Sequence, residues 1–315
     1  MTKRIHCAWV ALFAASLTGC GEGNREFLSL GTAGTGGVYY PIGGAIASRM
    51  SVTDSARQYT AEVTGGSVEN VNRMGAGQMD LGIVMASTAY EAYRGEADFQ
   101  QPISGLRAIA PLYPNVTHIV VPENSDGRTI SDFRGMRVSV GSAGSGTEQS
   151  SRHVLLAHGL DYDDINPQYL TFSETSSALM DGAIGAGIFS VGFPAAAVLE
   201  VTTTSPMRLM GIEPEVIRQM EERYPYYSEG LIPAGAYRGM DQEVRTVVVM
   251  NWIVAMDTLD DDVVTTLLNL MQDDRVALEQ VHEMAKQIDL RLMAASPIPL
   301  HPAAERWYAE RFGER

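Results

Sequence analysis

The sequence predicts an α/β protein of two lobes, and three observations predict it. Short apolar runs with strand spacing alternate with helix-spaced runs along the whole chain. One phrase occurs twice, as Ser29-Leu30-Gly31-Thr32-Ala33-Gly34-Thr35-Gly36 and as Ser139-Val140-Gly141-Ser142-Ala143-Gly144-Ser145-Gly146. Each copy follows an apolar run and leads into a helical pattern. The chain has 315 residues, a length for which two domains are the natural expectation.

The elements follow in order. Residues 27–31 form a strand and 38–50 a helix. Gln58 to Thr64 is a strand. Ser67 to Gly75 is a helix with Ser67 as its N-cap. Asp80 to Met85 is a strand, Ser87 to Arg94 a helix, and Leu106 to Tyr113 a strand. The layout then restarts, with a strand from Thr117 to Val121 that ends at Pro122 and a polar stretch to Asp132. Met136 to Val140 opens the second copy of the phrase, and its helix runs from Glu148 to His158. Asp181 to Phe189 carries a strand, then a Gly192-Phe193-Pro194 turn and an Ala-rich helix from Ala195 to Glu200. Met207 to Met210 is a strand, Glu213 to Tyr224 a helix, and residues 225–245 the return crossing. Thr246 to Met256 is strand-like, and two or three helices close the chain, including Asp260 to Met271 and Arg275 to Gln287. These assignments place residues 27–116 and 240–315 in one lobe and 117–239 in the other, with two crossings between them.

The first twenty residues read as a processing signal. Lys3 and Arg4 precede a short apolar core, Ala8 to Leu17, too short to span a bilayer. Leu17-Thr18-Gly19-Cys20 resembles a bacterial lipobox, in which Cys20 becomes the lipidated first residue; the other reading is a plain secretory signal cleaved nearby. Both expectations place the protein in the periplasm or another extracytoplasmic space. The two cysteines, Cys7 and Cys20, both lie in this segment, so the fold that follows has neither a disulfide nor a thiol nucleophile. The net charge is −15, and −17 once Lys3 and Arg4 are removed. An acidic chain argues against nucleic acid as a partner. It does not argue against a small anion, because local dipoles set the field of a site.

The loops define the expected chemistry. Gly31, Gly34, Gly36 and Gly37 do not make the G-x-G-x-x-G dinucleotide fingerprint, and no Gly-Lys-Ser/Thr follows. A helix N-terminus leaves backbone N–H groups unpaired and carries about half a positive charge. Two such termini, one per lobe, could hold one small acidic ligand between them. A duplicated turn with no remaining function is the other reading of the repeat. The candidate ligand-binding residues are Thr35, Gly36 and Gly37 in the first loop and Ser142, Ser145, Gly146 and Thr147 in the second. Tyr39 and Tyr40 join them, although they point about 100° apart on a helix and at most one faces the loop. Further strand-to-helix corners add Ser67, Ser87, Thr88, Ser190 and Pro194, because open α/β sheets bind ligands at the carboxyl ends of their strands.

Enzyme readings find little support. No G-x-S-x-G elbow surrounds Ser142, Ser145 or Ser190, and His153 and His158 are not at i, i+4 spacing. The six His are scattered, and no metal ligand set or cofactor is expected. Asp163-Asp164, Asp260-Asp261-Asp262 and Asp273-Asp274 read as helix-start acids.

Several segments together resemble a known family. Gly31 to Ala45 (GTAGTGGVYYPIGGA), Thr64 to Val71 (TGGSVENV), Asp80 to Val84, Gly141 to Thr147, and Ile298-Pro299-Leu300-His301-Pro302-Ala303-Ala304 with Trp307-Tyr308 are similar, in order, to the TAXI-type solute receptors of TRAP transporters. The resemblance implies a periplasmic binding-protein fold, type II-like, of two α/β lobes with a two-segment hinge. It implies capture of a small organic anion, a dicarboxylate such as 2-oxoglutarate or a glutamate-like amino acid, and delivery to TRAP membrane permease subunits. Two segments depart from the family's pattern. Ile184-Gly185-Ala186 lacks an expected Asp, and Met85-Ala86-Ser87-Thr88 stands where a Gln-Ser-Asp-like run is common. If those acids bind an ammonium, their loss favours a dicarboxylate without an amine, unless Glu69 or Glu174 replaces them. Arg73 and Arg152 are the candidates for a cation that grips the carboxylate. A ligand-sensing receptor on the same fold is the alternative.

Overall fold

The computed structural model describes residues 25–313. The processing signal and Cys20 lie outside the described residues. Strand β1 (Glu26–Gly31) leads to helix α1 (Tyr39–Thr53), β2 (Arg57–Glu62), α2 (Ser67–Gly75), β3 (Leu81–Met85) and α3 (Ala86–Arg94). Strand β4 (Leu106–Pro122) then carries the chain into a second unit. That unit contains β5 (Arg137–Ser139), α4 (Gly146–Ala157), β6 (Asn166–Gln168), α5 (Phe172–Met180), β7 (Ala186–Val191), α6 (Ala196–Thr204), β8 (Met207–Met210), α7 (Pro214–Arg223) and β9 (Tyr227–Ile232). Strand β10 (Val244–Met256) returns, and α8 (Asp261–Asp273), α9 (Arg275–Val281) and α10 (Pro302–Phe312) close the chain. Among the described residues no helix is long and apolar enough to cross a membrane.

The sheet order is β2-β1-β3-β10-β4-β7-β5-β6, with β8 on β4 and β9 on β10. Each half contains a parallel triplet, β2-β1-β3 and β6-β5-β7. Both triplets place the first strand in the middle and are wound β-α-β-α-β, so the duplicated phrase reflects a duplicated unit. Alternation of strands and helices favours parallel pairing. Among the described residues the parallel strand pairings are confined to these triplets, and the five pairings made by β4 and β10 are antiparallel. The antiparallel strands β4 and β10 join them.

The hinge strands correct the sequence reading. A break was expected between Tyr113 and Thr117, where Pro114 and Asn115 interrupt the apolar run. The backbone stays extended because β10 runs alongside, pairing Met256 with Leu106 at one end and Val248 with Val116 at the other. The ladder shifts register between Met250 and Trp252, opposite Pro114 and Pro111. Asn251 sits at that irregularity, and its amide Nδ2 donates to the Tyr113 carbonyl at 2.8 Å. A side chain thus supplies a donor where the ladder slips. Trp252 and Tyr113 are fully buried beside it, at the centre of a continuous apolar core.

Other boundaries moved for local reasons. Asp181 to Gly185 is a turn, with Gly182 at φ +66°, and the strand starts at Ala186. The helix expected over 275–287 stops at Val281 and resumes as a 3-10 turn over Glu283–Gln287. Helix α5 was not anticipated, although Thr171 and Glu174 form its capping box.

Candidate functional site

Both glycine-rich loops open onto one cavity of about 310 Å³ between the two halves of the sheet. The first half contributes Ala33 to Tyr39, Val63, Gly65 to Ser67 and Met85. The hinge contributes Asn115. The second half contributes Ser142, Ser145 to Thr147, Thr171 to Ser173, Ser190 and Val191. The N-termini of α1, α2, α4 and α5 therefore all border the same space. They arrive as two pairs, each with one helix from each half. A Cβ built on Gly36 would stand 2.8 Å from Ser173 Oγ, and one on Gly66 would stand 3.3 Å from Ser145 Cα. The first contact joins α1 to α5, the second α2 to α4.

Local sequence explains why these termini come so close. Gly66 caps α2 with φ +123° and ψ −151°, a backbone conformation essentially limited to glycine. Ser67 was expected as that cap. It is instead the first helical residue, and its Oγ accepts the Met85 N–H at 3.1 Å. No side chain caps α1 or α2. In the first turn of α2 the Glu69 N–H donates to the Gly144 carbonyl of the opposite half at 3.0 Å, and the remaining first-turn amides have no side-chain cap. Helix α4 is capped by Ser145 Oγ, which accepts the Glu148 N–H at 3.0 Å. The two copies of the phrase also differ in shape. Gly141 and Gly144 have positive φ, whereas Gly31 and Gly34 do not. Accordingly α4 begins at Gly146, while α1 begins only at Tyr39, beyond the matching Gly36.

Ten of the fourteen predicted ligand-binding residues line the cavity: Thr35, Gly36, Gly37, Tyr39, Ser67, Ser142, Ser145, Gly146, Thr147 and Ser190. Four do not. Tyr40 points to solvent, since only one of two adjacent helical residues can face inward. Ser87 and Thr88 are buried inside α3, where Thr88 donates to Gln149 Oε1 at 2.9 Å. Pro194 lies past the end of β7, outside the lining. The sequence reading missed Asn115, Thr171, Phe172 and Ser173. An Asn inside an apolar strand and an unrecognised capping box were the available signals.

No Lys, Arg, His, Asp or Glu side chain lines the cavity among the described residues. Arg73 is bound to Glu62 at 2.6 Å, and Arg152 to Glu148 at 2.7 Å and Asp98 at 2.9 Å, so neither serves as a cation in the site. Glu69 accepts the Gly65 N–H at 2.7 Å, and Glu174 caps α5. The one titratable lining group, Tyr39, is held neutral because burial raises its phenol well above the usual value. Its hydroxyl donates to Asn251 Oδ1 at 2.5 Å. Asn251 donates to Asn115 Oδ1 at 2.8 Å, and Asn115 donates to the Ser190 carbonyl at 3.0 Å. This chain of hydrogen bonds ties the first-half helix, both hinge strands and the second half together along the cavity wall. The field in the cavity comes from backbone dipoles, each worth about half a charge at a helix end. The apolar walls are Val38, Val63, Met85, Phe172 and Val191.

The acidic pairs are structural. Asp260 and Asp262 bind Arg57, and Asp261 binds Arg306. Asp164 lies in a turn that binds Arg134, not at a helix start as expected.

The fold is that of periplasmic binding proteins. PhnD1 from Prochlorococcus marinus, in complex with methylphosphonate, aligns with a TM-score of 0.55 at 14% identity, over 84% of this chain and 92% of its own. The alkanesulfonate-binding protein SsuA from Xanthomonas axonopodis pv. citri, bound to MOPS, aligns with a TM-score of 0.50 at 15% identity, over 92% of this chain and 95% of its own. At the level of sequence, residues 30–311 match the model of the NMT1-like family, and the chain belongs to that family.

Proposed function

We propose that this protein is the extracytoplasmic solute-binding subunit of a TRAP transporter. In this reading it captures a small organic anion between its two lobes and hands it to the membrane permease. The lobes are residues 27–116 with 240–315, and 117–239, joined by β4 and β10. The observation that carries the reading is the convergence of four helix N-termini, two from each lobe, on one cavity that no charged side chain lines among the described residues. Backbone amides and neutral hydroxyls suit carboxylates, each charge-assisted hydrogen bond contributing about 1.5–3 kcal/mol. Three or four of them support micromolar binding, about −8 kcal/mol, after ordering costs. Two poles, each built from both lobes, suit a dicarboxylate such as 2-oxoglutarate. A glutamate-like amino acid fits less well, because among the described residues no carboxylate lines the cavity to meet its ammonium. In this reading the protein works in the periplasm, with Cys20 as its lipid anchor.

A thermal-shift screen tests this reading. It compares 2-oxoglutarate, C4 to C6 dicarboxylates, glutamate and glutamine with methylphosphonate and MOPS, the ligands of the structural relatives. A ligand of the native state raises Tm by mass action. A rise with dicarboxylates is expected, and a rise only with the phosphonate or sulfonate would overturn the ligand class.

A further inference from the structure

The two halves also meet along a seam beside the cavity. Helix α3 from the first half packs against α4 from the second. Tyr226 stacks obliquely on Tyr90 of α3 at 5.6 Å, and Tyr224 stacks on His153 of α4 at 4.3 Å. Glu91 of α3 lies inside this seam and is only 4% exposed. Its carboxylate accepts the Tyr226 hydroxyl at 2.5 Å and the Gln149 side-chain amide, and His153 Nε2 lies 3.5 Å away. All three partners belong to the second half.

No Lys or Arg forms an ion pair with Glu91 among the described residues. The nearby guanidinium of Arg152 is committed to Glu148 and Asp98. His153 offers no positive charge, because burial lowers it to about 4, with Arg152 and Arg223 adding to the effect. Asp98 and Glu96 further disfavour a charge on Glu91, while Arg152 and the Tyr226 hydroxyl favour one. Burial dominates and raises the carboxyl from 4.5 to about 7. Tyr224, Tyr226 and Tyr227 remain neutral phenols, all pushed upward by burial.

We propose that Glu91 is a positioning residue that makes closure of the two halves a proton-binding step, so that ligand capture is favoured as pH falls. The proposal rests on the reading that the halves close around a ligand. On opening, Tyr226, Gln149 and His153 withdraw with the second half, and water replaces them around the carboxylate. Its pKa then returns to the ordinary carboxylate range. On closing, one proton from solvent bonds to the carboxylate, and His153 Nε2 faces the resulting acid. The sign is fixed by linkage. The closed form binds more protons between about pH 4.5 and 7, so closure is favoured below that window and weakened as pH rises through it.

Small-angle X-ray scattering of the ligand-free protein between about pH 8 and 5.5 tests the seam directly. The radius of gyration should fall toward acid pH in the wild type and stay constant in Glu91→Gln. In Tyr226→Phe the midpoint should move to higher pH, because a hydrogen bond that favours the charged carboxylate is gone. Affinity for 2-oxoglutarate should strengthen about tenfold over the same interval in the wild type and less than about twofold in Glu91→Gln. A constant wild-type radius, or a pH response retained in Glu91→Gln, overturns the proposal. Failure of 2-oxoglutarate to bind counts against the ligand reading alone, because the scattering series still decides the seam.

Discussion

Single residues set the character of the site. Ser145 illustrates a double role, since its Oγ caps α4 while the residue lines the cavity. Ser145→Ala should weaken ligand binding about tenfold and also lower stability by about 1 kcal/mol through loss of the cap. Calorimetric titration and urea unfolding separate the two effects, and unchanged affinity would remove α4 from the site. His118 offers a test of buried charge. It is fully buried and bonded to the Val116 carbonyl through Nδ1 and to the Tyr237 hydroxyl through Nε2, and burial lowers its pKa to about 4. Between about pH 6.5 and 4 the unfolded chain binds this proton and the folded chain does not, so stability is lost as pH falls through that window. The difference in unfolding free energy between the wild type and His118→Gln should shrink by about 3 kcal/mol from pH 7 to 4. A pH-independent difference would show that His118 titrates normally.

At the scale of elements, helix starts matter more than the side chains they carry. Gly66 permits α2 to begin against Ser145 of the opposite half. Gly66→Ala forces an L-residue to φ +123° and places a methyl 3.3 Å from Ser145 Cα. The backbone conformation alone should cost about 1–3 kcal/mol. The methyl should also hold the halves apart, so ligand affinity falls by more than the tenfold expected for Ser145→Ala. Equal affinity in Gly66→Ala and the wild type would mean that the α2–α4 contact is not part of closure. The helices themselves were legible in the sequence: α2 runs over the residues expected, Ser67–Gly75, and β8 over Met207–Met210. Those segments are short, apolar on one face and bounded by turn residues, so local propensity and periodicity agree. The break expected in β4 was misplaced because Pro114 and Asn115 signal an interruption locally, and only a distant partner strand overrides it.

Across the whole molecule, the two halves are one repeated unit joined by two long strands. In the proposed closure, β4 and β10 are the strands that would bend, with the Asn251 irregularity lying between the two triplets. If Cys20 carries the anchor, wild-type protein partitions with membranes, and Cys20→Ser releases it to the periplasmic fraction. Recovery of wild-type protein in the soluble fraction would instead support plain cleavage of the signal.

The sequence by itself determined the α/β class, the duplicated phrase and ten of the residues that line the cavity. Those features are local, set by spacing along the chain and by the backbone freedom of glycine next to Ser and Thr. Only the tertiary structure decided that the two loops face one space, that α5 and Asn115 complete its wall, and that among the described residues no Lys, Arg or His side chain lines it. It also placed Glu91 against Tyr226, Gln149 and His153. Most of these depend on contacts between residues far apart in the chain; the i, i+4 spacing of Glu148 and Arg152 discloses one partner, but nothing in the spacing of Arg73 or Glu91 reveals Glu62 or Tyr226.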